Sequence, residues 1–339
     1  MRRTTLATLA AAALLGGPVP AQVFKLGTLA PENSTWHEEL RNLGDEWKKL
    51  SGGKVDLKLF PGGILGDEPD MIRKLRLGQL QAAALTGDGL SDIAPDVMAL
   101  QLPMLLRTDE ELIYVRDRMK AKLEAQIDEK GFVVLIWGDA GWVQFFSQKP
   151  VVRMEDLKSQ KLWTRTGDTT YFEVWKNAGF APVALPTTEI LTGLKSGLIT
   201  SFATTPLIAL SFQWFGLAKN LTDLNWAPLM GAILVVKKKW MELPADLREK
   251  LEASARQSGE RLQREIKKLS ADAVEVMKKR GLQVHQVPPD AEAAWEKAAR
   301  DAYPKLVGPI VPKEAAAEVE RLRNEYRASR KVEKPAGGG

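Results

Sequence analysis

The chain has 339 residues, no Cys and a formal net charge of +5. Such a length holds two domains with separate cores, and the lack of Cys excludes disulfides, thiol redox chemistry and a lipid anchor on an N-terminal Cys. Basic and acidic residues number 48 and 43 and are mixed along the chain, which excludes the concentrated positive field of a nucleic-acid binder.

Met1, Arg2 and Arg3 precede an apolar run from Leu6 to Leu15, then Gly16, Gly17 and Pro18, then Val19, Pro20 and Ala21. A basic start, a short apolar stretch and small residues at a cut site read as a cleaved secretory signal over 1–21, with the mature chain starting at Gln22. Losing Arg2 and Arg3 lowers the net charge to +3. A membrane span needs about 20 apolar residues. This run is shorter, and no later stretch reaches that length.

Val23 to Gly27 reads as a strand, followed by a polar loop at 30–34 and a helical pattern through Trp36, Leu40, Leu43 and Trp47. Val55 to Phe60 alternates apolar and polar and stops at Pro61, Gly62 and Gly63, a strand ending in a turn. Met71 to Leu77 is helical and closed by Gly78; Gln81 to Leu85 is a buried strand ending at Thr86, Gly87, Asp88 and Gly89. The alternation resumes with apolar runs at 132–137 and 142–146 and a strand from Lys161 to Arg165. A helix at about 170–178, a strand at 181–185, a helix around Ile190 and Leu194, and strands at 198–204 and 231–236 follow. Strand and helix in alternation predict an α/β fold. From Pro244 to Arg280 a helical pattern runs past thirty residues, with Pro244 at its start and Gly281 at its end, longer than one compact domain needs. The last residues, 330–339, are basic and Gly-terminated and read as disordered.

Leu57 to Glu68 (Leu-Lys-Leu-Phe-Pro-Gly-Gly-Ile-Leu-Gly-Asp-Glu) and Met71 to Gln81 resemble the first-domain signature of DctP-type solute receptors of TRAP transporters. Asp156 to Leu162, Gly179 to Pro186 and Glu189 to Gly197 are similar to that family's second-domain core. The resemblance covers about 23–326. It implies a two-domain fold like that of periplasmic binding proteins, with hinge strands and a long domain-spanning helix, closing on a small organic solute. The partition it implies is 22–137 with 212–255 as the first domain and 138–211 with 256–329 as the second. It further implies a periplasmic location, small and large membrane subunits as partners, no cofactor, no metal and no bond chemistry.

Most family members read Lys-Ile-Arg where this chain reads Lys161, Leu162 and Trp163, and their Arg clamps a ligand carboxylate in a planar pairing. Here Trp163 becomes a pocket wall, and Arg165, two residues on and on the same strand face, is a displaced clamp. Lys161 to Trp163, Gly167 with Asp168, and Ala209 to Trp214 are similar to a subfamily accompanied by a TPR-repeat helper protein, for which hydrophobic ligands are suspected. Trp36, Trp142, Trp214 and Trp226 fall at loop or strand-end positions fit for cleft walls. Trp47, Trp175, Trp240 and Trp295 fall in helical contexts fit for a core. Thr204 and Gln213 complete the expected ligand contacts, with Thr86 at its strand end. Phe202, Ala203 and Thr204 replace a normally polar run, so the expected ligand is apolar or amphipathic, a monocarboxylate included.

Enzymatic readings lack support: His37 and His285 are far apart and outside any metal spacing, and Asp67 and Glu68 read as a solvated turn. Two alternatives remain on sequence grounds: a periplasmic sensor presenting its closed form to a signalling receptor, and a conventional C4-dicarboxylate or organic-acid receptor.

Overall fold

A computed structural model describes residues 21–333; the signal-like residues 1–20 and the tail residues 334–339 lie outside the described part. In chain order the first half holds strand β1 (Gln22–Thr28), helix α1 (Thr35–Leu50), β2 (Val55–Phe60), α2 (Glu68–Arg76), β3 (Ala82–Thr86), α3 (Gly87–Ser91) and α4 (Asp109–Glu129). The long strand β4 (Phe132–Ser147) leads into α5 (Met154–Lys158), β5 (Lys161–Arg165), α6 (Thr169–Asn177), β6 (Ala181–Leu185), α7 (Ile190–Ser196), β7 (Ser201–Thr204) and α8 (Pro206–Ser211). A second long strand, β8 (Asn220–Val236), returns and is followed by α9 (Lys237–Trp240), α10 (Ala245–Lys278), β9 (Gln283–Gln286), α11 (Pro289–Leu306) and α12 (Lys313–Glu333).

One sheet runs through both halves in the order β2-β1-β3-β8-β4-β7-β5-β6, with β9 on β8. The pairs β1 with β2 and β3, and β5 with β6 and β7, are parallel, whereas β4 and β8 form an antiparallel ribbon from Phe132↔Val236 to Ser147↔Asn220. The two apolar runs expected as separate strands are thus one strand. Its register shifts between Val134 and Ile136, between Asp139 and Trp142 and between Val143 and Phe145. Bulges of this kind bend a ribbon, and these bend it where the halves meet.

Each half buries its own apolar clusters. Phe24, Trp47 and Trp240 meet at ring separations of 5.3–6.1 Å, all at 1% exposure or less. In the second half Phe146 stacks on Phe202 at 5.2 Å, and Phe145 packs with Trp226 and Trp295 on the other side of the sheet. Among the four tryptophans expected in the core, Trp47, Trp240 and Trp295 are fully buried and Trp175 packs partly buried beside Trp226. Trp226, expected at a cleft wall, belongs to this aromatic cluster instead.

Helix α10 has 34 residues, about 50 Å at 1.5 Å per residue. Leu247, Leu251 and Ala255 pack with the Trp47 cluster, Leu262 and Ile266 with Leu207 and Trp36, and Met277 with the Phe146 cluster. The helix therefore touches both halves. Two assignments differ from expectation. Ala315, Val319 and Leu322 of α12 join the first half's core, because α12 packs on α4, which the sequence reading had not identified; residues 313–329 were expected with the second domain. Residues 330–333, expected in a disordered tail, belong to α12, and the rest of that expected tail lies outside the described residues.

Trp47→Ala empties the centre of the first core and is expected to cost about 3–5 kcal/mol. Urea unfolding followed by circular dichroism measures it, and a loss below about 1 kcal/mol would contradict this packing.

Candidate functional site

In open α/β sheets ligands meet the carboxyl ends of parallel strands. Here β3 of the first half ends at Thr86 and β5 of the second half ends at Arg165, and side chains of β5 reach the loop after β3. Arg165 is 7% exposed. Its Nε and Nη2 donate to the two carboxylate oxygens of Asp168 at 3.3 and 3.2 Å, and Nη2 also donates to the backbone carbonyl of Asp88 at 3.3 Å. Nη1 lies 3.8 Å from the Asp92 carboxylate and has no hydrogen-bond acceptor. Burial draws this guanidinium's pKa down, but the charges of Asp168 and Asp88 outweigh it and hold it above the ordinary arginine value.

Glu68, expected in a solvated turn, is 2% exposed. It accepts from the Thr86 backbone N–H at 2.6 Å and from the Thr86 hydroxyl at 2.8 Å. The reason is local: Asp67, not Glu68, caps α2, so Glu68 turns inward beneath β3. There Gly89 makes room, since a Cβ on it would sit 2.7 Å from Glu68 Oε2. Burial raises the Glu68 pKa from 4.5 to about 7, against the lowering pull of Thr86. Asp88 is partly buried, and desolvation raises its pKa to about 6 although Arg165 opposes the rise. Burial, with the charges of Asp88 and Asp168, likewise raises that of Tyr171 on α6. Four carboxylates, Glu68, Asp88, Asp92 and Asp168, thus surround one guanidinium. Among the described residues no His, Cys, Asp or Glu group is arranged to hold a metal ion; the cation at the centre of this cluster is Arg165.

Other contacts cross the same gap. The Thr187 backbone N–H donates to Asp67 Oδ2 at 2.6 Å. Gly63 lies so close to Thr188 that a Cβ there would be 2.7 Å from its methyl group. Tyr171 and Val174 of α6 pack against the first half's core. The two halves are joined in this form along a line from Asp67 to Asp92.

The remaining expected contacts scatter. Trp36, in the first turn of α1, lies over Gly138, where a Cβ would come within 2.6 Å of its ring. Trp142 donates its indole N–H to Asp109 at 2.8 Å and packs on the first core. Trp163 is half-buried, packs beside the Phe146 cluster and donates to the Leu185 carbonyl at 3.0 Å. Thr204 is buried opposite Gln144. Trp214 is 3% exposed and stacks on Phe212 at 4.6 Å. Its expected place at the ligand is corrected to one in the core, because the 3-10 turn at 214–216 directs it inward. Gln213 is exposed with φ +59 and lines an open groove of about 640 Å³ with Pro31, Glu32, Leu191 and Lys195. Of the expected contacts, Arg165 and Thr86 are brought to one cluster; Glu68, Asp88, Asp92 and Asp168, which complete it, were not among them. The one sequence signal for them was the Thr-Gly-Asp-Gly turn after a buried strand.

Raised values for Glu68 and Asp88 mean that the unfolded chain loses these protons first as pH rises. Their stability contribution is complete below about pH 4 and is lost as pH climbs through about 6 to 7. Between pH 5 and pH 8 the wild type is expected to lose more than about 1 kcal/mol relative to Glu68→Gln, measured by thermal unfolding of both across the range. Parallel pH curves would contradict the burial of Glu68 as an acid.

Residues 26–308 match the family described as bacterial extracellular solute-binding protein, family 7 (DctP). The 2,3-diketo-L-gulonate-binding periplasmic protein of Escherichia coli (strain K12) is 25% identical over 277 residues, 80% of this chain and 84% of that protein. The C4-dicarboxylate-binding periplasmic protein of Rhodobacter capsulatus is 25% identical over 257 residues, 74% and 76% of the two chains. A TRAP periplasmic solute-binding protein from Xanthobacter autotrophicus Py2, solved with β-D-galacturonate, shares the fold with a TM-score of 0.81 at 23% identity, over 89% of this chain and 99% of its own. The sugar-acid-binding protein of Advenella mimigardefordensis, solved with galactonate, gives 0.84 at 18% identity, over 91% and 99%. No helix among the described residues is long and apolar enough to cross a membrane. With two α/β halves meeting across a polar cleft and a family match over most of its length, the chain belongs to the DctP family of TRAP-type periplasmic solute receptors, which bind solutes and carry out no reaction.

Proposed function

We propose that this receptor is exported by a cleaved signal over 1–21 and captures an apolar or amphipathic organic molecule between its halves. It then delivers the cargo to the small and large membrane subunits of a TRAP transporter, with a TPR-repeat protein as a periplasmic helper. The observation that carries the cargo reading is the pairing at the centre of the cleft: the buried guanidinium of Arg165 is already held by the Asp168 carboxylate and faced by that of Asp92. A dicarboxylate brought to Arg165 adds two negative charges beside a guanidinium that Asp168 already pairs. An unpaired buried charge costs several kcal/mol.

Indole surfaces support the same reading. Trp36 lies against Leu207, Leu262 and Ile266, and Trp163 lies on the same strand as Arg165. The relatives named above bind sugar acids or C4-dicarboxylates, and the conventional acid-receptor reading would carry that chemistry over to this chain. Calorimetric titration separates the two. Succinate and D-galactonate are expected to bind at least about tenfold more weakly than a medium-chain amphiphile, and Trp163→Ala is expected to weaken the amphiphile. Tight binding of succinate or galactonate, with none of the amphiphile, would contradict the proposed cargo.

A further inference from the structure

We propose that Asp168 is a built-in counter-ion that occupies the carboxylate-binding edge of Arg165 and so keeps acidic cargo off it. This rests on the cargo reading above and narrows it: the polar end of the amphipathic molecule is uncharged. A guanidinium binds a carboxylate best through two parallel N–H donors. In this cleft that two-pronged contact is already complete, with Asp168 Oδ2 on Nε at 3.3 Å and Oδ1 on Nη2 at 3.2 Å. The ligand-like carboxylate belongs to the protein itself.

Local structure is arranged to deliver it. Asp168 stands at the N-cap of α6, where an aspartate ordinarily accepts from the backbone N–H groups of its own helix. Here its side chain makes no capping bond and turns back to Arg165. The turn that returns it closes through Asp168 N–H to the Arg165 carbonyl at 3.2 Å. Gly167 sits in it at φ +99, a conformation that residues with a Cβ rarely adopt. Of the other donors, Nη2 is shared with the Asp88 carbonyl, and Nη1 is buried without a hydrogen bond, 3.8 Å from the Asp92 carboxylate, whose negative charge opposes a second anion there. An incoming carboxylate would have to displace Asp168 and leave it partly buried and unpaired, amid the negative charges of Asp88 and Asp92.

The test uses acetate, a carboxylate small enough to enter wherever Asp168 has been removed, and reads the thermal midpoint of the full mature chain. Asp168→Ala should be destabilised and then rescued by acetate. The expected rise is about 3 °C at an acetate concentration about tenfold above its dissociation constant, and it is absent with equal chloride. The wild type should show no such rise, and the double variant Arg165→Ala/Asp168→Ala should lose it. Acetate stabilising the wild type through Arg165, shown by loss of the effect in Arg165→Ala, would overturn the proposal. So would an Asp168→Ala protein indifferent to acetate. If Asp168→Ala does not fold, Asp168→Ser takes its place, and the wild-type titration still decides the first point. Failure of the cargo reading is distinguishable, since an acid bound tightly elsewhere in the cleft leaves these acetate responses unchanged.

Discussion

A buried guanidinium needs counter-charge and hydrogen bonds for its donors, and Arg165 finds both on two sides of the cleft. Asp168 lies on its own half, while the Asp88 carbonyl and the Asp92 carboxylate lie on the other. Removing either side leaves a desolvated charge, so the joined arrangement of the halves and the pairing of Arg165 depend on each other. The neighbouring contacts from Asp67 to Thr187 and from Tyr171 to the first core extend the same seam. Closure of a binding protein shifts a population between open and joined forms. In this form the protein's own groups join the two halves, through Arg165 to Asp88 and Thr187 to Asp67.

The frame that holds the seam is the β4 and β8 ribbon. It is continuous enough to carry one sheet through both halves and irregular enough at 139–142 to bend there. Gly138 lets Trp36 approach the ribbon closely, and α10 packs against both halves. Rigid halves joined by a bent ribbon and a long helix place the strand ends of β3 and β5 face to face. The placement of two acids then follows from topology: Glu68, buried, and Asp88, partly buried, flank the end of β3.

Much of the fold could be read in the sequence because the signals were local. Strand alternation at 55–60, the Pro and Gly stops after it and the long apolar period of 244–280 each act through neighbouring residues. Helix α4 went unread although Leu112, Val115, Met119, Leu123 and Ile127 lie on one buried face, and the docking of α12 on it was lost with it. The site was less legible for a physical reason. Glu68 and Asp88 look like ordinary turn carboxylates in sequence; Glu68 is buried because Asp67 takes the cap of α2 and Thr86 and Gly89 receive it, and Asp88 meets Arg165 only through the approach of β5. Trp214 shows the converse: its loop position allowed a cleft wall, but Phe202 and Phe212 gave it a better place in the core. Trp163 and Arg165 were expected on one face, yet the end of the strand and the Gly167 turn let Arg165 swing to the cleft while Trp163 stayed against its own half.

The central claim is that a self-neutralised cleft selects cargo without a negative charge. Native mass spectrometry of the protein isolated from the periplasm, followed by denaturation and identification of the released molecule, tests it most directly. The account predicts a neutral amphipathic or apolar compound at one equivalent per chain, and recovery of a sugar acid or a dicarboxylate in that stoichiometry would contradict it.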